Sequence, residues 1–181
     1  MKKQTHISTR IHYKNPWWEY RIDEFSLPDG KTGEYNYVHT GGSTFVIPIT
    51  SNNQIIMIEQ HRYLNDKNSI EFPGGGLENG ISEKENALKE LREETGYKAA
   101  RIEKIGEFNP FNGVTNEISH LFFAQELTLG ETDFDETEMI EKHYFCVQDV
   151  IEMIKSNRIW DGMTLAAWAL FEKSKYFEEL K

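Results

Sequence analysis

The sequence predicts an α/β fold: a mixed β-sheet flanked by helices, with an N-terminal antiparallel hairpin ahead of it. Three observations carry that expectation. Short strand-like runs fill the first half, separated by turn signals. A glycine-rich stretch at 74–80 feeds a capped, acidic helix in the middle. Two further helical segments close the chain.

In order, residues 1–16 are polar and expected to be partly loose. Residues 17–25 are rich in aromatics and read as a strand. Pro28-Asp29-Gly30 is a turn signal, and 34–40 reads as the returning strand, completing the hairpin. Core packing, contact with a second subunit and stacking on a base are all open to Trp17 and Trp18; Trp18 is the candidate for stacking. After the break Gly41-Gly42-Ser43, residues 44–49 read as a buried strand and 54–60 as its hairpin partner across Ser51-Asn52-Asn53. A polar loop, 65–68, and a short strand, 70–73, lead to the glycines.

Ser82 is a good N-cap, with Glu85 three residues on to complete a capping box, and Gly96 ends the helix at C′. Residues 101–106 then read as a strand, 109–113 as a loop, 118–124 as a buried strand and 130–138 as an acidic loop. A last strand at 141–146 precedes helices at 148–155 and 160–177. Cys146 falls in the apolar run 144–147, where packing is its expected role.

The central helix carries the chemistry. Ala87, Leu88 and Leu91 share an apolar stripe. Beside it Glu90, Glu93 and Glu94 stand at i, i+3 and i+4, within an arc of roughly 100°. Like charges at that spacing destabilise a helix. A hard divalent cation removes the conflict, because Mg²⁺ takes carboxylates, water and substrate phosphates as ligands. The face therefore reads as a Mg²⁺ platform for phosphate chemistry, with Mn²⁺ as an alternative metal.

Composition sets the frame. The chain has 181 residues, enough for one domain with a sizeable core, and is 38% hydrophobic. No run of about 18 apolar residues predicts a membrane span, and no apolar stretch follows the first residues as in a signal peptide. One cysteine excludes an internal disulfide and suits a reducing cytoplasm. A formal charge of −10 argues against a broad nucleic-acid surface. It is compatible with a phosphate substrate only if bound cations invert the sign locally.

The order Lys89-Glu90-Leu91-x-Glu93-Glu94-x-Gly96-Tyr97, registered on Gly75, resembles the Nudix box, Gly-x5-Glu-x7-Arg-Glu-U-x-Glu-Glu-x-Gly-U, where U is bulky and apolar. Gln60-His61-Arg62-Tyr63, Glu71-Phe72-Pro73-Gly74-Gly75-Gly76, Gly113-Val114-Thr115-Asn116-Glu117 and Glu136-Thr137-Glu138 extend the resemblance over residues 14–172. They are similar to the Nudix subgroup that hydrolyses ADP-ribose and other nucleoside diphosphate sugars. That resemblance implies an α/β/α sandwich, and a homodimer joined through the N-terminal segment and hairpin (1–40), with the hydrolase domain at 41–181.

It also implies roles. Glu90, Glu93 and Glu94 match the metal-holding carboxylates, with the backbone carbonyl of Gly74 or Gly75 as a further ligand. Glu136 and Glu138 match loop carboxylates that supply a ligand or the general base, with Glu93 or Glu94 as the alternative base. Arg62 matches an arginine on the substrate's phosphates, and Glu117 an acidic residue near the nucleotide. Two box positions depart from the pattern. Ile81 replaces a glutamate, and Lys89 replaces an arginine, which keeps the charge without the bidentate fork. Asn112 stands where ADP-ribose enzymes often carry proline, which weakens ADP-ribose against other nucleotide sugars. The expected reaction is Mg²⁺-dependent hydrolysis of a nucleoside diphosphate sugar to a nucleoside monophosphate and a sugar phosphate. A non-catalytic nucleotide-sugar sensor and a triphosphate or RNA-end pyrophosphohydrolase are the alternatives.

Overall fold

The computed structural model describes residues 3–130 and 140–180. The first sheet is N-terminal and antiparallel, in the order β1 (Thr5–Lys14), β2 (Glu19–Ser26), β3 (Thr32–His39). The second is four-stranded and mixed. In it β4 (Ser43–Pro48) lies between β7 (Gly74–Gly76) and β9 (Ser119–Leu129), and β8 (Tyr97–Phe108) closes the far edge. The β4–β9 pair is parallel and the others antiparallel. The third sheet is antiparallel, with β5 (Ile55–Arg62) between β10 (Ile140–Phe145) and β6 (Lys67–Glu71).

Strand alternation divides the core into two layers. Val46 of β4 and Phe122 and Ala124 of β9 face helix α1 (Glu83–Thr95), where Ala87 and Leu91 are fully buried. Phe45, Ile47, Leu121 and Phe123 point to the opposite face and meet the C-terminal helices. Those are α2 (Val147–Lys155), α3 (Gly162–Phe171) and α4 (Lys175–Leu180). The result is helix, sheet, helix, as expected. Among the described residues no helix is long and apolar enough to cross a membrane.

Several local expectations need correction. The hairpin is present as β2–β3, but residues 5–14, expected to be loose, add β1 to it. Every residue of β1 is exposed, so the strand is held by its backbone ladder to β2 and leaves no buried periodicity to read. Strands β4 and β5 do not form a hairpin. Both edges of β4 are taken by β7 and β9, and the connection is closed by the antiparallel bridge Ile49–Ile55 and the Thr50 N–H to the Gln54 carbonyl at 2.9 Å before β5 enters the other sheet.

The polar loop 65–68 is shorter than expected, because a 3₁₀ turn covers Tyr63–Asn65 and β6 begins at Lys67. Glycines 74–76 are a strand rather than loop. The last helix is two, broken after Phe171 so that Tyr176 and Phe177 turn inward beside Phe123 and Trp168. Cys146 is exposed rather than packed. It caps α2, its sulfur accepting the Asp149 N–H at 3.4 Å.

Candidate active site

The site starts from the junction of β7 and α1. The Ser82–Glu85 capping box starts α1, and Gly96, at φ 74°, ends it in the left-handed conformation that glycine tolerates best. Gly75 pairs with Thr44 on β4, and the Glu90 carboxylate lies directly over it. A Cβ on Gly75 would come within 2.7 Å of Glu90 Oε2, the movable end of that side chain, whereas one on Gly74 would collide with the Thr44 carbonyl oxygen, so Gly74 is the glycine that the close β4–β7 approach requires. Glu94 is buried on the same side and accepts the Gly74 N–H at 2.7 Å.

Glu93 is engaged differently. The Lys89 ammonium stands 2.5 Å from Glu93 Oε2 and 3.2 Å from Glu78 Oε1, and Arg92 is 3.9 Å from the other Glu93 oxygen. Partial burial of Lys89 draws its pKa down, but the hydrogen bonds to Glu93 and Glu78 outweigh that and push it up to about 12. The lysine that replaces the box arginine therefore keeps a cation between two carboxylates. Ile81 leaves no acidic group in its place. It joins Leu77, Ile102 and Phe122 around a cavity of about 560 Å³. Of the two nearby acids, Glu78 faces Lys89, and Glu83 lines the same cavity as Ile81 while pairing with Lys104 at 2.9 Å and His120 at 3.3 Å.

Arg62, at the end of β5, donates through Nε (2.8 Å) and Nη2 to Glu71 at the end of β6. The Glu71 side chain is only 3% exposed, whereas that of Arg62 is 48% exposed. The bond to Glu71 holds the guanidinium pKa up against desolvation, and Glu94 and Asp161 act in the same direction through space. Arg62 thus lies in electrostatic range of Glu94.

Glu90 and Glu94 thus meet the glycine strand and Arg62 acts on Glu94 through space, while the contacts of Glu93 are with Lys89 and Arg92. Glu117 lies at the entry to β4, where it accepts hydrogen bonds from Ser43 Oγ (2.7 Å), itself opposite Gly76, and from Thr40 Oγ1 (3.2 Å). Trp18 lies in the turn between β1 and β2, its ring 5.5 Å from that of Tyr13. Glu136 and Glu138 lie outside the described residues. Between the N-terminal sheet and the loop before β9 is a cavity of about 390 Å³, lined by Asp23, Tyr35, Tyr37, Asn109, Asn112 and Asn116.

Two residues escaped sequence reasoning. Glu71 is a charge set between the apolar Ile70 and Phe72, a signal that it has a buried partner. Asn86 is a poor helix former inside the first half of the helix, a signal that its amide is used elsewhere.

Among the described residues no three His, Cys, Asp or Glu side chains converge as a ready-made metal cluster. The donor chemistry still fits a hard cation. Three carboxylates lie along one helix face, and the strand beneath Glu90 has only backbone where a Cβ would intrude.

Comparison with known proteins agrees with this architecture. The NUDIX domain family matches residues 40–167. The chain is 36% identical over 149 residues to a methanol dehydrogenase activator of Bacillus methanolicus, covering 81% of this chain and 80% of that protein. It is 34% identical over 148 residues to an ADP-ribose pyrophosphatase of Bacillus subtilis strain 168, with the same coverage of each. A crystal structure of an ADP compounds hydrolase superposes with a TM-score of 0.83 at 16% identity, covering 96% of this chain and 94% of that one. Glycine strand, acidic helix, fold and family match converge on one conclusion: this chain belongs to the Nudix family and is a hydrolase of phosphoric anhydrides.

Proposed function

We propose that this chain hydrolyses the pyrophosphate of a nucleoside diphosphate sugar, with ADP-ribose as the first candidate. The products are a nucleoside monophosphate and a sugar phosphate. The observation that carries the reading is Glu90 and Glu94 meeting the glycine strand, with Glu93 on the same acidic face of α1 and Arg62 in electrostatic range of Glu94. The similarity to the Bacillus subtilis ADP-ribose pyrophosphatase supports the substrate class.

Glu90, Glu93 and Glu94, with the Gly75 carbonyl, would hold Mg²⁺ or Mn²⁺, which supplies charge neutralisation at the pyrophosphate and a water of lowered pKa. The outward side of the Arg62 guanidinium binds a phosphate oxygen while Glu71 fixes its plane. Glu136 or Glu138 accepts the proton of the attacking water, since a carboxylate not spent on metal is the better base; Glu93 is the alternative. Water adds to one phosphorus as the bridging oxygen leaves with the other half of the substrate. Glu117 and the cavity lined by Tyr35, Tyr37 and Asn112 offer hydrogen bonds and aromatic faces to the nucleoside or sugar, and Trp18 a stacking surface.

Residues 1–40 are proposed as the dimer-forming unit beside the hydrolase domain at 41–181, in a cytoplasmic enzyme. The exposed backbone edge and Ile7, Ile11 and Tyr13 of β1 support that assignment.

The test is a substrate panel with Mg²⁺, read as phosphate released by added phosphatase: ADP-ribose, ADP-glucose, GDP-mannose, UDP-glucose, a dinucleoside polyphosphate and the four dNTPs. Turnover confined to nucleotide sugars and abolished by chelator is expected. Turnover on dNTPs alone would overturn the substrate class. No turnover, with Mg²⁺-dependent thermal stabilisation by one nucleotide sugar, would favour a binding role.

A further inference from the structure

The Asn86 side chain is fully buried in the first half of α1, and both ends of its amide are engaged. Its Oδ1 accepts the Glu78 backbone N–H at 3.1 Å, and its Nδ2 donates to Thr44 Oγ1 at 2.9 Å. Thr44 is also fully buried and lies opposite Gly75 in the β4–β7 ladder. One neutral side chain therefore joins three pieces of the site: the helix with the carboxylates, the strand under Gly75, and the segment that leaves the glycines.

The consequence reaches Glu93. Asn86 pins the Glu78 backbone, and the Glu78 carboxylate lies 3.2 Å from the Lys89 ammonium. Lys89 is thereby shared between Glu78 and Glu93. Past the pin, the segment turns at Gly80, with φ 92°, before Ser82 starts the helix. With the pin gone, Glu78 is free to leave, and Lys89 turns its whole charge on Glu93, where it competes with any incoming cation.

We infer that Asn86 is a positioning residue that sets cation affinity at the α1 carboxylates by holding Glu78 against Lys89. The inference rests on the metal-binding reading of Glu90, Glu93 and Glu94. It concerns a residue that touches neither substrate nor metal. An asparagine kept only for fold stability would affect melting temperature but not this linkage.

A double-mutant cycle separates the two. Mn²⁺ binding, without substrate, is measured by electron paramagnetic resonance for the wild type, Asn86→Ala, Glu78→Gln and the double variant. Each single change is expected to weaken Mn²⁺ by about tenfold, the low end for an outer-shell partner. The double variant is expected to bind no more weakly than Glu78→Gln, while Asn86→Ala lowers the melting temperature equally in both backgrounds. An equal Mn²⁺ effect of Asn86→Ala in both backgrounds, or none in either, would overturn the inference.

Two controls keep its failure apart from that of the site. Glu94→Gln binding Mn²⁺ as tightly as wild type would sink the metal reading. Hydrogen exchange at the Glu78 amide, slow in the wild type and fast in Asn86→Ala, reports the pin independently of metal. Unchanged exchange would overturn it.

Discussion

The two faces of the β7-β4-β9-β8 sheet are held by different physics. On the C-terminal side, contact is aromatic and apolar. Phe123 stacks on Tyr176 at 4.0 Å and on Phe171 at 5.8 Å, and Trp168 meets Phe171 and Phe177 edge-on. On the α1 side an apolar layer remains, but polar groups fix the helix in place: Glu94 on the Gly74 amide, Asn86 between Glu78 and Thr44, Glu90 against Gly75. Apolar packing is strong and tolerant of small displacements. Hydrogen bonds are weaker in net terms but specify distance and direction. The face that has to place carboxylates uses the second kind of contact, and the face that has to hold the domain together uses the first.

The sharpest break between them is expected at Glu94. Glu94→Gln keeps an acceptor for Gly74 but loses the charge. Activity should fall by at least the roughly 100-fold that an outer-shell change alone can cause, with little change in melting temperature. Full activity at limiting Mg²⁺ would erase the distinction between the faces. Phe171→Ala is the mirror case. The side chain is fully buried, and its loss should cost about 3–5 kcal/mol in chemical denaturation while the Mg²⁺ half-saturation of the folded fraction stays put.

Arg62→Ala mixes both effects. It leaves Glu71 buried without its partner, but the half-exposed arginine gives water access, so about 1–3 kcal/mol is expected, with a raised KM. Adding Glu71→Gln should restore part of the stability and none of the KM. A restored KM would mean that Arg62 has no part in binding substrate.

The smallest effect lies at the rim of the aromatic face. Glu103 accepts hydrogen bonds from Tyr176 and then Arg101, which lower its pKa from 4.5 to about 2. A lowered carboxylate pKa contributes stability that is present above 4.5 and lost as pH falls toward 2. Glu103→Gln should therefore be less stable than wild type at neutral pH, with the gap closing over that window. The side chain is partly open to solvent, so screening keeps the gap small. A gap unchanged from pH 7 to 2 would remove Glu103 from the acid response.

What was legible in the sequence is what is local. Ser82, Glu85 and Gly96 mark the ends of α1, and the spacing of Glu90, Glu93 and Glu94 marks its acidic face. Each is decided within a few residues. The parallel β4–β9 pairing joins Ser43 to Ser119, and no local pattern announces which strand fills the edge of β4. That is why a hairpin with β5 was the expected and mistaken partner. β1 has no buried face to give a period, and the break after Phe171 is marked by neither glycine nor proline. The same limit applies within the site. Arg62 could be picked out but not its bond to Glu71, and Lys89 could be seen as a departure but not its place between Glu78 and Glu93.

The most direct test of the central claim is product identification. ADP-ribose, the purified protein and Mg²⁺ are incubated, and the products are resolved by mass spectrometry, with and without chelator. Equal amounts of AMP and ribose 5-phosphate, absent when the metal is removed, are the expected result. ADP and free ribose, or undiminished turnover in chelator, would contradict hydrolysis of the pyrophosphate by a cation held on Glu90, Glu93 and Glu94.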